Sequence, residues 1–97
     1  MFLRIARFKL IPGKREEAVN AYNERGVPRV RAFPGNVACY LLEPTVDGDD
    51  FLACTIWQTE EHARAYETSG GAAEVAALVR PAFAGAPELK SYRTRDS

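Results

Sequence analysis

Four short runs of this chain, of which the last is mainly polar and the others are mainly apolar, lie between turn-forming residues. The runs occupy residues 2–11, 37–43, 51–57 and 88–93, and each has a length and residue content typical of strands. The second and third runs are joined by a turn whose tip is Asp47-Gly48, a dipeptide that favours tight hairpins. The pattern therefore predicts four strands, two of which form an antiparallel hairpin. If residue 43 pairs with residue 50, this hairpin places Cys39 opposite Cys54.

A helical pattern occupies residues 14–33, between the first two strands. Its apolar positions recur every three or four residues, as on the buried face of a helix. They are Ala18, Val19, Tyr22, Val30 and Phe33. Pro28 lies inside this pattern. Because proline lacks the N–H of a helical hydrogen bond, we expect a kink or a break there.

A second helical region follows the hairpin. Thr59 is the predicted N-cap of a helix that is broken at Gly70-Gly71. A further helical segment covers residues 72–83, and Pro81 disturbs its last turn.

The order of these elements is β-α-β-β-α-β, which predicts a ferredoxin-like α+β fold with helices on one face of a four-stranded antiparallel sheet. We expect one domain over residues 1–97. The runs FLACTIW and VACYLL carry apolar residues on both sides of each strand, whereas a sheet with one face in water should alternate. The second face is therefore expected to be buried in a dimeric α/β barrel. The alternative is a monomer with some apolar surface.

Composition narrows the class of protein without selecting a function. Thirteen basic residues balance thirteen acidic ones, so the chain has no net charge to attract nucleic acid or an anionic membrane. No apolar run approaches the ~20 residues that span a bilayer, and the N-terminus lacks the plan of a signal peptide. We therefore expect a cytoplasmic protein.

Cysteine and histidine are too few for a disulfide framework or a structural zinc site. The chain has two cysteines, Cys39 and Cys54, and one histidine, His62. In a reducing compartment the two thiols are expected to be free and to act as small apolar side chains.

Three motifs, in this order, resemble the antibiotic biosynthesis monooxygenase family of dimeric α/β barrels, which includes quinol monooxygenases. They are Pro12-Gly13-Lys14 after the first strand, Pro34-Gly35-Asn36 before the second, and the run from Ile56 to Tyr66. The resemblance covers almost the whole chain. It implies a homodimer whose chemistry lies between sheet and helices, and cofactor-free oxidation of phenolic polycyclic molecules, such as anthrones, with molecular oxygen.

The sequence departs from two branches of this family. Haem-degrading members carry an Asn, a Trp and a His where this chain has Arg7, Tyr66 and Ala76, so haem degradation is not expected. In the anthrone-oxidising members, an Asn and a Tyr occupy the positions of Ala53 and Ala63, although their strand-end Trp is matched by Trp57.

Four residues are the predicted catalytic set, and each also has a structural interpretation. Trp57 would contact a planar substrate, or would fill the edge of the core. His62 would act as a general base, because the ordinary pKa of histidine lies near neutrality, or it would simply lie in solvent. Tyr66 would hydrogen-bond a ligand oxygen, as would Tyr22, or both are core residues.

Arg7 completes the predicted set. Its guanidinium would stabilise a phenolate or superoxide-like anion, and Arg4 on the same strand is a second candidate for that role. The alternative for either arginine is a salt bridge or a place at the rim of the dimer.

The sequence thus predicts a cofactor-independent monooxygenase acting on an aromatic phenol, quinol or anthrone, with no metal or cofactor. Two alternatives stay open. One is a non-catalytic barrel that binds an apolar ligand or has a structural role, which the departures at Ala53 and Ala63 favour. The other is a non-oxidative cyclase or isomerase on the same scaffold.

Overall fold

A computed structural model describes residues 1–95 and shows a four-stranded antiparallel sheet with helices packed on one face. The strands are β1 (Phe2–Phe8), β2 (Asn36–Leu42), β3 (Phe51–Trp57) and β4 (Glu88–Arg93). Their order across the sheet is β2-β3-β1-β4, and every neighbouring pair is antiparallel. This is the ferredoxin-like arrangement, so the predicted fold is confirmed.

The first helical region is continuous but irregular. A 3₁₀ turn (Pro12–Lys14) leads into α1 (Arg15–Ala21), a π-helical turn (Tyr22–Gly26) and α2 (Val27–Arg31). Pro28 explains the irregularity, because it cannot donate the next helical hydrogen bond. The chain widens instead, and the N–H of Val27 donates to the carbonyl of Tyr22, five residues back. The predicted disturbance is thus a π-helical turn ahead of the proline rather than a break.

The second helical region has the predicted cap and the predicted breaks. The Thr59 hydroxyl accepts a hydrogen bond from the backbone N–H of His62 and caps α3 (Glu60–Thr68). Gly70, with a φ of 90°, separates α3 from α4 (Gly71–Val79). The segment ends in a 3₁₀ turn at Pro81. None of the helices within residues 1–95 combines the length and the apolar character needed to cross a membrane.

The core lies between the sheet and the helices. Trp57 and Val30 are its largest completely buried side chains. Tyr22, Cys39 and Tyr66 are also buried there, and burial raises the pKa of each because their charged forms lose solvation. The core therefore holds these groups in their neutral forms.

The opposite face of the sheet carries no helix and is mainly apolar. Side chains alternate along each strand, so the residues paired with the outward positions of β1 share its outer face. The apolar members of this outer face are Leu3, Ile5, Ala38, Tyr40, Leu42, Leu52, Cys54, Ile56 and Tyr92. Tyr40, Leu42 and Tyr92 are about half exposed in the single chain (55%, 46% and 50%).

The predicted pairing of Cys39 with Cys54 is wrong. Cys39 pairs with Thr55, and Cys54 pairs with Tyr40, so the register differs by one residue from the one expected. A shift of one residue places the two thiols on opposite faces of the sheet. A change of register between Asn36 and Ala38 marks a bulge at the start of β2 that the sequence did not signal.

His62 packs against the turn that precedes β2. Gly35 in that turn has a φ of 81°, and a Cβ at this position would overlap the imidazole ring. The ring nitrogen Nδ1 also lies 2.8 Å from the Thr59 hydroxyl. His62 therefore connects the start of α3 to the turn before β2.

Replacing Gly35 should cost more than replacing a glycine of similar backbone conformation in open space. Gly48 has a φ of 90° and nothing near its missing Cβ. Both Gly→Ala variants carry the left-handed cost of about 1–2 kcal/mol. Gly35→Ala adds about 1–3 kcal/mol of overpacking against His62. Urea unfolding of both variants measures the difference, and equal losses of stability would contradict the packing of His62 on Gly35.

Stability should fall as the solution becomes alkaline. Below the ordinary pKa values of cysteine and tyrosine, about 9 and 10, the folded and unfolded chains are equally protonated at Cys39, Tyr22 and Tyr66. Above them the unfolded chain loses protons that the folded chain keeps, so each group favours unfolding by up to ~1.4 kcal/mol per pH unit. Urea unfolding from pH 8 to 10.5 should show this decline, and Tyr22→Phe should make it shallower. Tyr92→Phe, which removes a hydroxyl outside the core between sheet and helices, is the matched control, and equal slopes in the two variants would contradict the prediction.

Candidate functional site

A cavity of about 440 Å³ lies between the helix-facing side of the sheet and the helices. Small side chains create it, because alanines stand on both the sheet wall and the helix wall. They are Ala6, Ala53, Ala72, Ala73 and Ala76. Val75, Val79 and Phe83 add larger apolar surface. The volume and the apolar wall suit a small planar molecule.

Arg4 brings a positive charge to the edge of this cavity. Its guanidinium lies 2.9 Å from the carboxylate of Glu67 on α3 and donates to the Ser91 hydroxyl at 3.1 Å. Arg4 and Glu67 both line the cavity, and the side chain of Arg4 is 28% exposed. The cavity therefore has an ion pair at one edge of a mainly apolar wall, to which Thr55 and Arg80 add further polar side chains.

Two tyrosines from different helices supply hydroxyl groups. Tyr22 stands where α1 widens into the π-helical turn, and its hydroxyl lies 3.4 Å from the Cys39 thiol. Tyr66, on the buried face of α3, makes no side-chain hydrogen bond within residues 1–95. Burial raises the pKa of both phenols, and the Cys39 thiol raises that of Tyr22 further. At neutral pH both are hydrogen-bond donors rather than bases.

Trp57 supports this site without lining it. The indole is completely buried, and its Nε1 donates to the Thr55 hydroxyl at 2.9 Å. Its ring centroid lies 5.0 Å from that of Tyr66. Thr55 and Tyr66 do line the cavity. The structure thus brings Trp57 and Tyr66 together, with the indole behind the tyrosine.

The structure places His62 and Arg7 away from the cavity wall. His62 lies over Gly35 and contacts Thr59, as described above. Arg7 lies on the outer face of the sheet, where it forms ion pairs with Glu88 and Asp50. The Glu88 carboxylate raises the pKa of Arg7, and the guanidinium lowers that of Glu88. Of the predicted four, only Tyr66 lines the cavity, and Arg4 rather than Arg7 reaches it.

The alternation of side chains between the two faces of β1 is the sequence signal that could have distinguished Arg4 from Arg7. Phe2, Arg4, Ala6 and Phe8 share the face toward the helices, whereas Arg7 shares the other face. Phe8 is buried, which identifies the core side of the strand. Glu67 was also missed. It follows Tyr66 directly, and only the packing of α3 on β1 shows that its carboxylate meets Arg4.

The described residues include no group of three or more His, Cys, Asp or Glu side chains arranged to hold a metal ion. Ala76 contributes a methyl group to the cavity wall. This is the position at which the haem-degrading relatives were expected to carry a histidine. The imidazole of this chain lies instead against the turn at Gly35, so the residues present do not reproduce that haem-binding set.

Many solved structures share this fold at low sequence identity. One is a protein of Nitrosomonas europaea assigned to the antibiotic biosynthesis monooxygenases, 18% identical over 97% of this chain and 98% of that chain, with a TM-score of 0.81. A conserved protein of Methanosarcina mazei is 15% identical over 97% and 92% of the two chains, with a TM-score of 0.83. The haem-degrader MhuD of Mycobacterium tuberculosis, whose structure holds two haems in the active site, is 22% identical over 100% and 98%, with a TM-score of 0.78.

The sequence comparisons are more specific than these structural ones. No curated protein sequence matches the chain. The sequence model of one family, described as antibiotic biosynthesis monooxygenase, matches residues 1–80. That span includes β1 to β3, α1 to α4 and both tyrosines of the cavity. The chain therefore belongs to the antibiotic biosynthesis monooxygenase family.

Proposed function

We propose that this protein is a cofactor-independent monooxygenase that oxidises an aromatic phenol, quinol or anthrone with molecular oxygen. The observation that carries the proposal is the cavity itself. A space of about 440 Å³ with an apolar wall holds two neutral phenol donors, Tyr22 and Tyr66, and the guanidinium of Arg4 at its edge. These groups favour a planar ligand that becomes an anion during the reaction.

The chemistry can be written with the ligand as the source of electrons. An anthrone loses a proton from its methylene carbon, and the resulting anion transfers one electron to oxygen. The carbon radical and superoxide combine to a peroxide, which takes up the proton and loses water to leave a carbonyl. One oxygen atom enters the product, the other leaves as water, and the two hydrogens of the methylene carbon are accounted for in that water.

The residues of this chain have separate parts in the scheme. Tyr66 and Tyr22 donate hydrogen bonds to the anionic oxygen of the ligand, because burial keeps both phenols protonated. Arg4 adds a fixed positive charge at the edge of the cavity. Glu67, the carboxylate paired with Arg4, is the proton acceptor in this scheme. Trp57 fixes the ring of Tyr66 from behind.

Binding without turnover is the second candidate function. Ala53 favours it, because this residue presents a methyl group to the cavity where the anthrone-oxidising relatives are expected to carry an amide. A binding protein would hold the aromatic molecule in the same cavity. Oxygen consumption separates the two functions.

We also propose that the protein is a homodimer joined through the outer face of its sheet. A single chain leaves this apolar face uncovered, and its most exposed members are large side chains. Burying such a face against a second copy would remove it from water, and a patch of this kind is characteristic of an interface. The cavity lies on the other side of the sheet, so dimer formation leaves its wall intact.

Removal of the Tyr66 hydroxyl should slow oxygen consumption. With metal-free protein and an anthrone or hydroquinone, uptake should exceed the rate of autoxidation. Tyr66→Phe should lower kcat/KM by about tenfold to 10²-fold, since it removes a donor to the developing anion and keeps the ring. Tyr40→Phe is the matched control, because Tyr40 lies on the outer face of the sheet, on the side opposite the cavity. Equal rates in the two variants would contradict the role of Tyr66.

The same assay tests the roles predicted for His62 and Arg7. A folded His62→Gln or Arg7→Gln protein that loses uptake would support those roles and contradict a reaction confined to the cavity. No uptake by any form, from protein shown to be folded and to bind the aromatic molecule, would favour the binding function.

The dimer should dissociate when a charge is placed on the outer face. The wild-type protein should sediment at twice the mass of the 10.7 kDa chain. Leu42→Glu should sediment as a monomer, because the carboxylate would be buried without a partner. Val46→Glu makes the same change at an exposed loop position and should leave the dimer intact. A wild-type monomer, or a dimeric Leu42→Glu protein, would contradict this interface.

A further inference from the structure

A second cleft, of about 470 Å³, adjoins the cavity and differs from it in character. One wall is α3, from which Glu60, Arg64, Glu67 and Thr68 project at the spacing of a single helix face. The other wall is the helix-facing side of β1 and β4, where Arg4, Ser91 and Arg93 stand. Apart from Phe2 on β1, the side chains named on both walls of this charged cleft are polar, whereas a helix packed on a sheet would ordinarily place apolar residues there.

The charged cleft and the cavity share two residues. Arg4 and Glu67 line both spaces, so their ion pair stands at the boundary between them. A ligand whose ring system fills the cavity would therefore place a substituent on this side next to the ion pair and the charged cleft.

The charges in this cleft do not balance within the described residues. Three guanidinium groups meet two carboxylates. Arg4 pairs with Glu67 at 2.9 Å, and Arg64 pairs with Glu60 at 2.9 Å. Arg93 approaches Glu60 only to 3.9 Å, which is too long for a hydrogen bond. Among these five side chains one positive charge is in excess, and a single negative charge would neutralise it.

The arginines are also accessible to a ligand. The side chains of Arg64 and Arg93 are 64% and 70% exposed, and ion pairs in such positions hold weakly. A ligand carboxylate can therefore replace Glu60 as the partner of either guanidinium, whose planar fork matches two carboxylate oxygens.

We infer that the charged cleft is a binding subsite for a single negative charge, a carboxylate or sulfonate, on the aromatic molecule that occupies the cavity. The inference rests on the proposed function for the aromatic part of the ligand. The anionic part is recognised by Arg64 and Arg93 together with Arg4. The substrate class is then an aromatic acid rather than an uncharged aromatic molecule.

A matched pair of probes tests this subsite without requiring turnover. Anthraquinone-2-carboxylate and its primary amide have the same rings and nearly the same shape, and they differ in charge. Their dissociation constants can be measured by quenching of the Trp57 fluorescence, with calorimetry as the check. The carboxylate should bind about tenfold more tightly at low salt, and the advantage should shrink between about 50 and 500 mM NaCl.

Variants of the cleft residues test which side chains cause the preference for the carboxylate over the amide. Arg93→Gln and Arg64→Gln should each reduce the carboxylate's advantage by about threefold or more while the amide binds as before. Glu60→Gln should increase the advantage, because it removes the competing carboxylate. Arg29→Gln is the control, since Arg29 is an exposed arginine that pairs with Glu74 outside the cleft.

The outcomes distinguish the subsite from the cavity. If the amide binds and the carboxylate binds no more tightly, the proposed anion subsite is wrong, whereas binding of the aromatic rings in the cavity is supported. If Arg29→Gln reduces the carboxylate's advantage over the amide as much as Arg93→Gln does, the advantage comes from the overall charge of the protein. That result would also overturn the subsite. If neither probe binds, the aromatic cavity fails and the subsite fails with it.

Discussion

The position of Tyr66 depends on the burial of one indole. Trp57 has no exposed surface, and its single donor is satisfied by Thr55 on the same strand. A buried indole N–H without a partner would be costly, so this hydrogen bond fixes the ring orientation. The ring then lies beside Tyr66, whose other neighbour is Phe33 in an edge-to-face contact at 4.9 Å. Aromatic packing on two sides holds the ring of Tyr66 at the cavity wall.

The helix-facing side of the sheet is densely packed near Trp57 and leaves a cavity toward α4, and residue size explains the difference. Near Trp57 the space is occupied by aromatic rings, and Gly71 is required because a Cβ there would come within 2.5 Å of Phe33. Toward α4 the facing residues are alanines and valines, so the helix and sheet do not close on each other. Packing density in a protein interior leaves few voids by accident. The gradient from large to small residues across the sheet therefore positions the cavity beside the rigid tyrosine.

The sequence predicted the elements of the fold well because strands, helices and their breaks depend on local pattern. Pro28, Pro81, Thr59 and Gly70 acted where they were expected to act. The pairing of cysteines could not be predicted in this way, because a register depends on the bulge at the start of β2 and on contacts between strands.

The site was predictable only in part, for a related reason. Tyr66 follows from helical periodicity, which places it on the buried face of α3. The choice between Arg4 and Arg7 needs the orientation of β1, which alternation supplies once Phe8 is recognised as a core residue. The roles of Glu67 and Thr55 depend on which elements meet in three dimensions, and neither residue has a distinctive motif.

The protonation states in the cavity limit the chemistry that the protein can perform. Burial keeps Tyr22 and Tyr66 neutral, so neither can remove a proton from a ligand at neutral pH. The carboxylate at the boundary, Glu67, forms an ion pair with the guanidinium of Arg4 at 2.9 Å. Two neutral phenol donors and a guanidinium are groups that stabilise an anion on a bound ligand. The proposed oxidation therefore suits a ligand that brings its own acidity, as phenols and anthrones do, because the two tyrosines of the cavity can stabilise the resulting anion but cannot form it.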